Sequence, residues 1–189
     1  METFFKRYID DLSRATNKLP LEKISAVVKV LASANKEGRQ VFVFGNGGSA
    51  ASSAHFITDL GKGASDKLKK RFRCMSLNEN TAWITALGND YSYEDVFLRQ
   101  LQNYAQKGDV VITMSVSGSS PNLVKAFEWA KENGLETIAL VGGKKGKLAD
   151  IARHVIVTDS EHYGIVEDSH MMIMHLLCYA FMENPAIAD

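Results

Sequence analysis

An apolar run, Val41-Phe42-Val43-Phe44, stops in Gly45-Asn46-Gly47-Gly48-Ser49 and restarts as the helix-compatible Ala50-Ala51-Ser52. Four apolar residues bounded by glycines read as a buried strand, so the chain must pass from strand to helix within a few residues. Gly45, Gly47 and Gly48 let the backbone turn sharply with its N–H groups exposed, and Ser49 is placed to cap the helix that follows. A helix N-terminus offers free N–H donors and the positive end of its dipole, so a phosphate is held there without a charged side chain.

A second loop of this kind follows Asp109-Val110-Val111-Ile112-Thr113-Met114, where Ser115-Val116-Ser117-Gly118-Ser119-Ser120 leads into Pro121-Asn122-Leu123. Hydroxyls replace most of the glycines here, and Ser115, Ser117, Ser119 and Ser120 offer a phosphate O–H donors. Ser120 before Pro121 signals an N-cap and first helical turn. Neither loop is a familiar nucleotide motif, for the first lacks the Lys-Ser/Thr of a P-loop and the glycine spacing of the dinucleotide fingerprint. Either one alone also fits an ordinary strand-to-helix turn, but two in a chain of 189 residues favour a bound anion.

Strands are expected at 40–44, 72–76, 109–114, 136–141 and 153–157, separated by helical segments and preceded by helices near 2–16 and 21–37. Strands joined by helical crossovers imply an α/β fold with a parallel sheet covered on both faces and sites at the carboxyl ends of the strands. Both loops fall at such ends. No linker or low-complexity segment divides the chain, so one domain is expected. A last helix near 164–183 is apolar on nearly all sides from Met171 to Phe181, which calls for burial within the domain or against another subunit.

Formal charge is zero, from 22 Lys plus Arg against 22 Asp plus Glu, so nothing suggests bulk nucleic-acid binding. Lys67, Lys69, Lys70, Arg71 and Arg73 read as a solvated loop leading into a strand, the alternative being that part of the cluster meets an anionic substrate. Cys74 and Cys178 lack metal-type spacing and read as small core residues. With neither a targeting signal nor a membrane-length apolar run, a reduced, cytoplasmic compartment is expected.

Two groups of residues carry chemistry. His55 and Asp59, four apart, share a face of the helix that leaves the first glycine loop, a spacing suited to a shared metal ion or a proton-relay pair. In the last helix Glu167, Asp168, His170 and His175 interrupt an apolar sequence, and buried ionisable groups need partners or a function. Glu167 and His175 are eight apart, about 12 Å along a straight helix, which is far for joint use of one ligand.

Gly45-Asn46-Gly47-Gly48-Ser49-Ala50-Ala51, His55-Phe56, Ala86-Leu87-Gly88-Asn89-Asp90-Tyr91, Ser115-Val116-Ser117-Gly118-Ser119-Ser120-Pro121-Asn122 and Glu167-Asp168-Ser169-His170 with His175 together resemble the sugar isomerase (SIS) domain family. Within it they are most similar to the sedoheptulose 7-phosphate isomerase, or phosphoheptose isomerase, branch. The resemblance implies a flavodoxin-like three-layer sandwich on a five-stranded parallel sheet, a single SIS domain over residues 1–189, and a helical extension over 1–37 that packs in the oligomer. It also implies a homotetramer with active sites between subunits. The implied reaction converts D-sedoheptulose 7-phosphate to D-glycero-D-manno-heptose 7-phosphate through an enediol, early in the synthesis of lipopolysaccharide core or other heptose-containing glycans.

By the same resemblance Ser49, Ser115, Ser117 and Ser120 hold phosphate, joined in the substrate site by Asn46, Gly47, Gly48, Asn89, Asp90, Val116 and Glu167. His55, Asp59, Glu167 and His175 hold zinc in some members, with Asp59 as base and His175 as acid. The chain departs from the family at Asp59, where Glu is usual, and at Glu167, where Gln is usual. Gly63 matches an arginine near the sugar, with Lys62 beside it, and Gly164 matches an aspartate upstream of the last helix. The alternative is a non-catalytic SIS protein that binds a phosphosugar or the bacterial replication initiator. Retention of His55, an acid at 59 and His175 favours catalysis.

Overall fold

The computed structural model describes residues 1–188. Strands β1 (Gln40–Gly45), β2 (Arg73–Ser76), β3 (Val110–Ser115), β4 (Glu136–Val141) and β5 (His154–Val157) form one sheet in the order β2-β1-β3-β4-β5, parallel throughout. This is the expected flavodoxin-like order. The chain winds in opposite senses from β1 and β3, which opens a crevice at their carboxyl ends.

Side chains alternate across the sheet and divide the core in two. Val41, Val43, Val110 and Ile112 pack beneath helices α2 (Leu21–Glu37), α3 (Gly48–Thr58) and α8 (Tyr163–Glu183), with Leu31, Phe56, Leu177 and Phe181 among them. Phe42, Phe44 and Val111 face the other layer, built from α4 (Thr81–Asp90), α5 (Leu98–Tyr104), α6 (Pro121–Glu132) and α7 (Gly146–Ile151). There Phe44 stacks on Phe97 at 4.7 Å between centroids and meets Phe127 edge-on at 6.0 Å. Truncating so enclosed a ring to Ala costs about 3–5 kcal/mol.

Local sequence sets the element ends. Helix α2 closes on Gly38, whose φ of 73° suits glycine, with the Arg39 N–H donating back to the Ala34 carbonyl. The basic stretch at 67–73, which leads into β2, is solvated as expected, and two of its cations meet backbone carbonyls at the end of α2: Lys70 donates to Lys36 O and Arg73 to Gly38 O. Helix α3 begins one residue before Ser49, because Gly47 turns at φ 55° and occupies the cap position. Ser49 is therefore the second helical residue and not the cap.

Two helices retain uncovered apolar surface. The N-terminal helix α1 (Glu2–Thr16) buries only Ala15, and Phe4, Phe5 and Ile9 are 48%, 52% and 63% exposed. On α8 most of the apolar residues enter the core, but Met172, Leu176 and Tyr179 form an exposed stripe three to four residues apart. Among the described residues no helix is long and apolar enough to cross a membrane.

Candidate active site

Between the carboxyl ends of β1 and β3 lies a cavity of about 310 Å³. Asn46, Gly47, Gly48 and Ser49 line it from the first loop, Ser115, Val116, Ser117 and Ser120 from the second, and Glu167 from α8. Met114, Leu123 and Tyr163 complete the wall and carried no signal in the sequence pattern. Asn89 and Asp90, expected in the substrate site, lie at the exposed end of α4, bonded to each other at 2.9 Å and outside this wall. A larger open groove of about 500 Å³ runs along β5 beside Lys23 and Arg153, but none of the hydroxyl-bearing loop residues lines it.

Hydrogen bonds in the second loop prepare its hydroxyls. Ser115 Oγ accepts the Gly118 N–H at 3.1 Å and Ser117 Oγ accepts the Ser119 N–H at 3.3 Å. A hydroxyl that accepts from the backbone still has its own proton to give. Ser120 stands at the N-cap of α6 without a side-chain cap bond, so its hydroxyl is also available. Gly48 lies against Glu167, whose Oε1 would be 2.9 Å from a Cβ at that position; only glycine lets the carboxylate come this close.

The second cluster forms where α3 changes pitch. Residues Asp59–Ala64 continue it as a π-helical turn, a rare geometry that recurs at functional sites. Gly61 and Gly63 let this turn pack tightly, the first under Cys74 Sγ and the second under Met182 Cε, which fills the space a side chain at 63 would take. Lys62 points outward and is exposed. At the head of the turn Asp59 Oδ2 lies 3.2 Å from His55 Nε2 and 3.6 Å from His175 Nε2, and the two histidine nitrogens are 3.3 Å apart. All three side chains are partly open to solvent.

This triangle answers a geometric test. A tetrahedral zinc with ligands at about 2.0–2.1 Å requires donor atoms about 3.3 Å from one another, close to all three spacings found here. Two imidazoles and a carboxylate are also a common catalytic donor set for that ion. Glu167, the fourth expected ligand, lines the cavity between the two loops and stands outside this group, as its distance from His175 along α8 requires.

Other polar residues of α8 have separate surroundings. Tyr8 of α1 donates to Asp168 Oδ2 at 2.7 Å, and that bond, burial and the nearby carboxylates of Asp168 and Glu167 push the phenol up to about 12. Its hydroxyl fills the space beside Gly164, 2.6 Å from where a Cβ would lie. His170 is 2% exposed and meets the backbone of Val141 without completing a hydrogen bond from either ring nitrogen; burial lowers it to about 4. Cys178 is buried and Cys74 half-buried, both are free thiols, and burial pushes Cys74 up to about 11 and Cys178 further.

Known proteins resemble this chain in sequence and in fold. Residues 4–142 match the model of the SIS domain. A probable phosphoheptose isomerase of Thermoplasma volcanium is 40% identical over 171 residues, covering 90% of this chain and 87% of that protein. A phosphoheptose isomerase of Citrifermentans bemidjiense is 36% identical over 155 residues, 82% of this chain and 80% of its own length. Among solved structures, a phosphoheptose isomerase from Francisella tularensis superposes with a TM-score of 0.86 at 26% identity, covering 97% of this chain and 96% of that one. On its sheet order, its paired loops and these matches, the chain belongs to the SIS domain family.

Proposed function

We propose that the protein is an aldose–ketose isomerase acting on a phosphosugar, with D-sedoheptulose 7-phosphate converted to D-glycero-D-manno-heptose 7-phosphate. The observation that carries this is the placement of a hydroxyl-lined anion cavity and an acid–base cluster at two levels of one helix, Glu167 in the first and His175 in the second. A linear sugar phosphate has the same polarity, with its phosphate at one end and its carbonyl at the other.

In this reading Ser49, Ser115, Ser117 and Ser120 hold the phosphate with O–H and backbone N–H donors. Asp59, whose Oδ2 faces both histidines, takes the proton from the carbon beside the carbonyl. His175 supplies a proton to the carbonyl oxygen as the enediol forms; Asp59 then returns its proton to the former carbonyl carbon while His175 takes one back from the neighbouring hydroxyl, which becomes the new carbonyl. Zinc held by His55, Asp59 and His175 would supply the pull on the substrate oxygens that a protonated His175 supplies without it.

The exposed faces of α1 and α8 support a homotetramer in which copies of this chain cover Phe4, Phe5, Ile9, Met172, Leu176 and Tyr179. Asn89 and Asp90, exposed and outside the wall of their own cavity, are then available to a neighbour's site. The activity is tested by following sedoheptulose 7-phosphate by NMR with purified protein. Binding without turnover would favour the non-catalytic alternative.

A further inference from the structure

Tyr93 carries no obvious role in the reading above. It is 58% exposed, does not line the cavity, and begins a single 3-10 turn, Tyr93–Asp95, between α4 and α5. Yet the turn is held in place with care. Ser92 Oγ caps it by accepting the Glu94 N–H at 3.1 Å, and Asp95, with its side chain only 13% exposed, pairs with Lys125 of α6 at 3.0 Å. The result delivers the Tyr93 O–H to Asn46 Oδ1 at 3.1 Å.

Asn46 belongs to the first phosphate loop, and it is joined face to face with Asn122, just past the second. Asn46 Nδ2 donates to Asn122 Oδ1 at 2.9 Å and Asn122 Nδ2 donates to Asn46 Oδ1 at 2.8 Å. The pair therefore clasps the first loop to the start of the helix that leaves the second. Its sense is fixed from both ends: the Leu123 N–H donates to Asn122 Oδ1 at 3.0 Å, and the Tyr93 hydroxyl fills the remaining lone pair of Asn46 Oδ1. With its oxygen saturated and one amide hydrogen given to Asn122, Asn46 has a single amide hydrogen left for a ligand oxygen.

We propose that Tyr93 is a positioning residue of the sugar-phosphate site: by locking the Asn46–Asn122 clasp it sets the separation of the two loops and the direction of the Asn46 donor. The proposal rests on the isomerase reading, and Tyr93 acts through Asn46 without touching substrate. A binding site must be held near its productive geometry to keep its affinity, and a clasp free to rotate loses that hold.

Tyr93→Phe keeps the ring and its packing and removes one bond. Its affinity for inorganic phosphate by calorimetry should weaken roughly fivefold, with KM for sedoheptulose 7-phosphate rising in step and kcat nearly unchanged. Adding Tyr93→Phe to Asn122→Ala should cost little more, because the clasp is already open. Unchanged phosphate affinity and KM in Tyr93→Phe overturns the proposal, as does a fully additive double variant or a lowered melting temperature with phosphate affinity intact. Wild-type protein that binds neither phosphate nor the sugar phosphate removes the functional reading itself, an outcome distinct from equal binding by wild type and variant.

Discussion

His55 and His175 stand with their Nε2 atoms 3.3 Å apart, although 120 positions separate them in the chain. The contact exists because α3 and α8 cross on the same face of the sheet, and it draws both rings onto one oxygen of Asp59. Two imidazole nitrogens and a carboxylate oxygen at these separations are spaced to face one cation together.

Zinc follows as an expected outcome. Protein purified without chelator should contain close to one zinc per chain by elemental analysis, and His55→Ala should lose it. Asp59→Asn should lower turnover by roughly a hundredfold or more, the usual contribution of a general base. Phosphate affinity should survive both changes, since the serine loops do not depend on the ion. Chelator-treated protein with full turnover would show that the cluster works as a metal-free acid–base group.

The serine cradle makes a separate prediction. Hydrogen bonds to a charged group contribute about 1.5–3 kcal/mol each, so Ser49→Ala with Ser120→Ala should weaken binding of sedoheptulose 7-phosphate roughly a hundredfold. Neither hydroxyl caps its helix, so the melting temperature should hold. Calorimetry showing equal affinity in the double variant would remove the cradle assignment.

His170 gives the fold a dependence on pH. Its value falls from 6.5 in the unfolded chain to about 4 in the folded protein because burial disfavours the charged ring. The lowered value means that the stability linked to neutral His170 is complete above 6.5 and is lost as pH falls through about 4, a difference of about 3 kcal/mol. Urea titrations at a series of pH values should show that loss in the wild type and a smaller one in His170→Leu. Parallel curves would mean the ring is not buried neutral.

The uncovered faces of α1 and α8 predict assembly. Light scattering should report a tetramer, and Phe5→Asp with Ile9→Asp should dissociate it while leaving the sheet domain folded, because both side chains are exposed in the single chain. A wild-type mass of 20.9 kDa at micromolar concentration would be a monomer and would sink the idea.

The parts of this protein that were readable in its sequence are the periodic and local ones. β1 and β3, the strand-to-helix loops that follow them and the pairing of His55 with Asp59 follow from apolar runs, glycines and helical spacing, and all stand in the structure. The cap of α3 falls at Gly47, two residues ahead of Ser49, because the sequence does not say which glycine of the loop takes the positive-φ turn. The π-helical turn at Asp59 has no periodic signature, and neither do contacts made across long stretches of chain. Tyr8 on Asp168, Met182 under Gly63 and Tyr93 on Asn46 are therefore visible only once the fold is assembled.

Helix α8 passes the loop-lined cavity at Glu167 and the histidine cluster at His175, and a straight helix advances about 12 Å over those eight residues. A rod of hydrogen-bonded backbone does not stretch, so on the isomerase reading it is a fixed ruler laid beside the substrate. A sugar phosphate of matching length is held at both ends at once. One that is too short reaches the cavity or the histidines but not both, and carbon count is then discriminated without any group in the protein touching the carbons being counted.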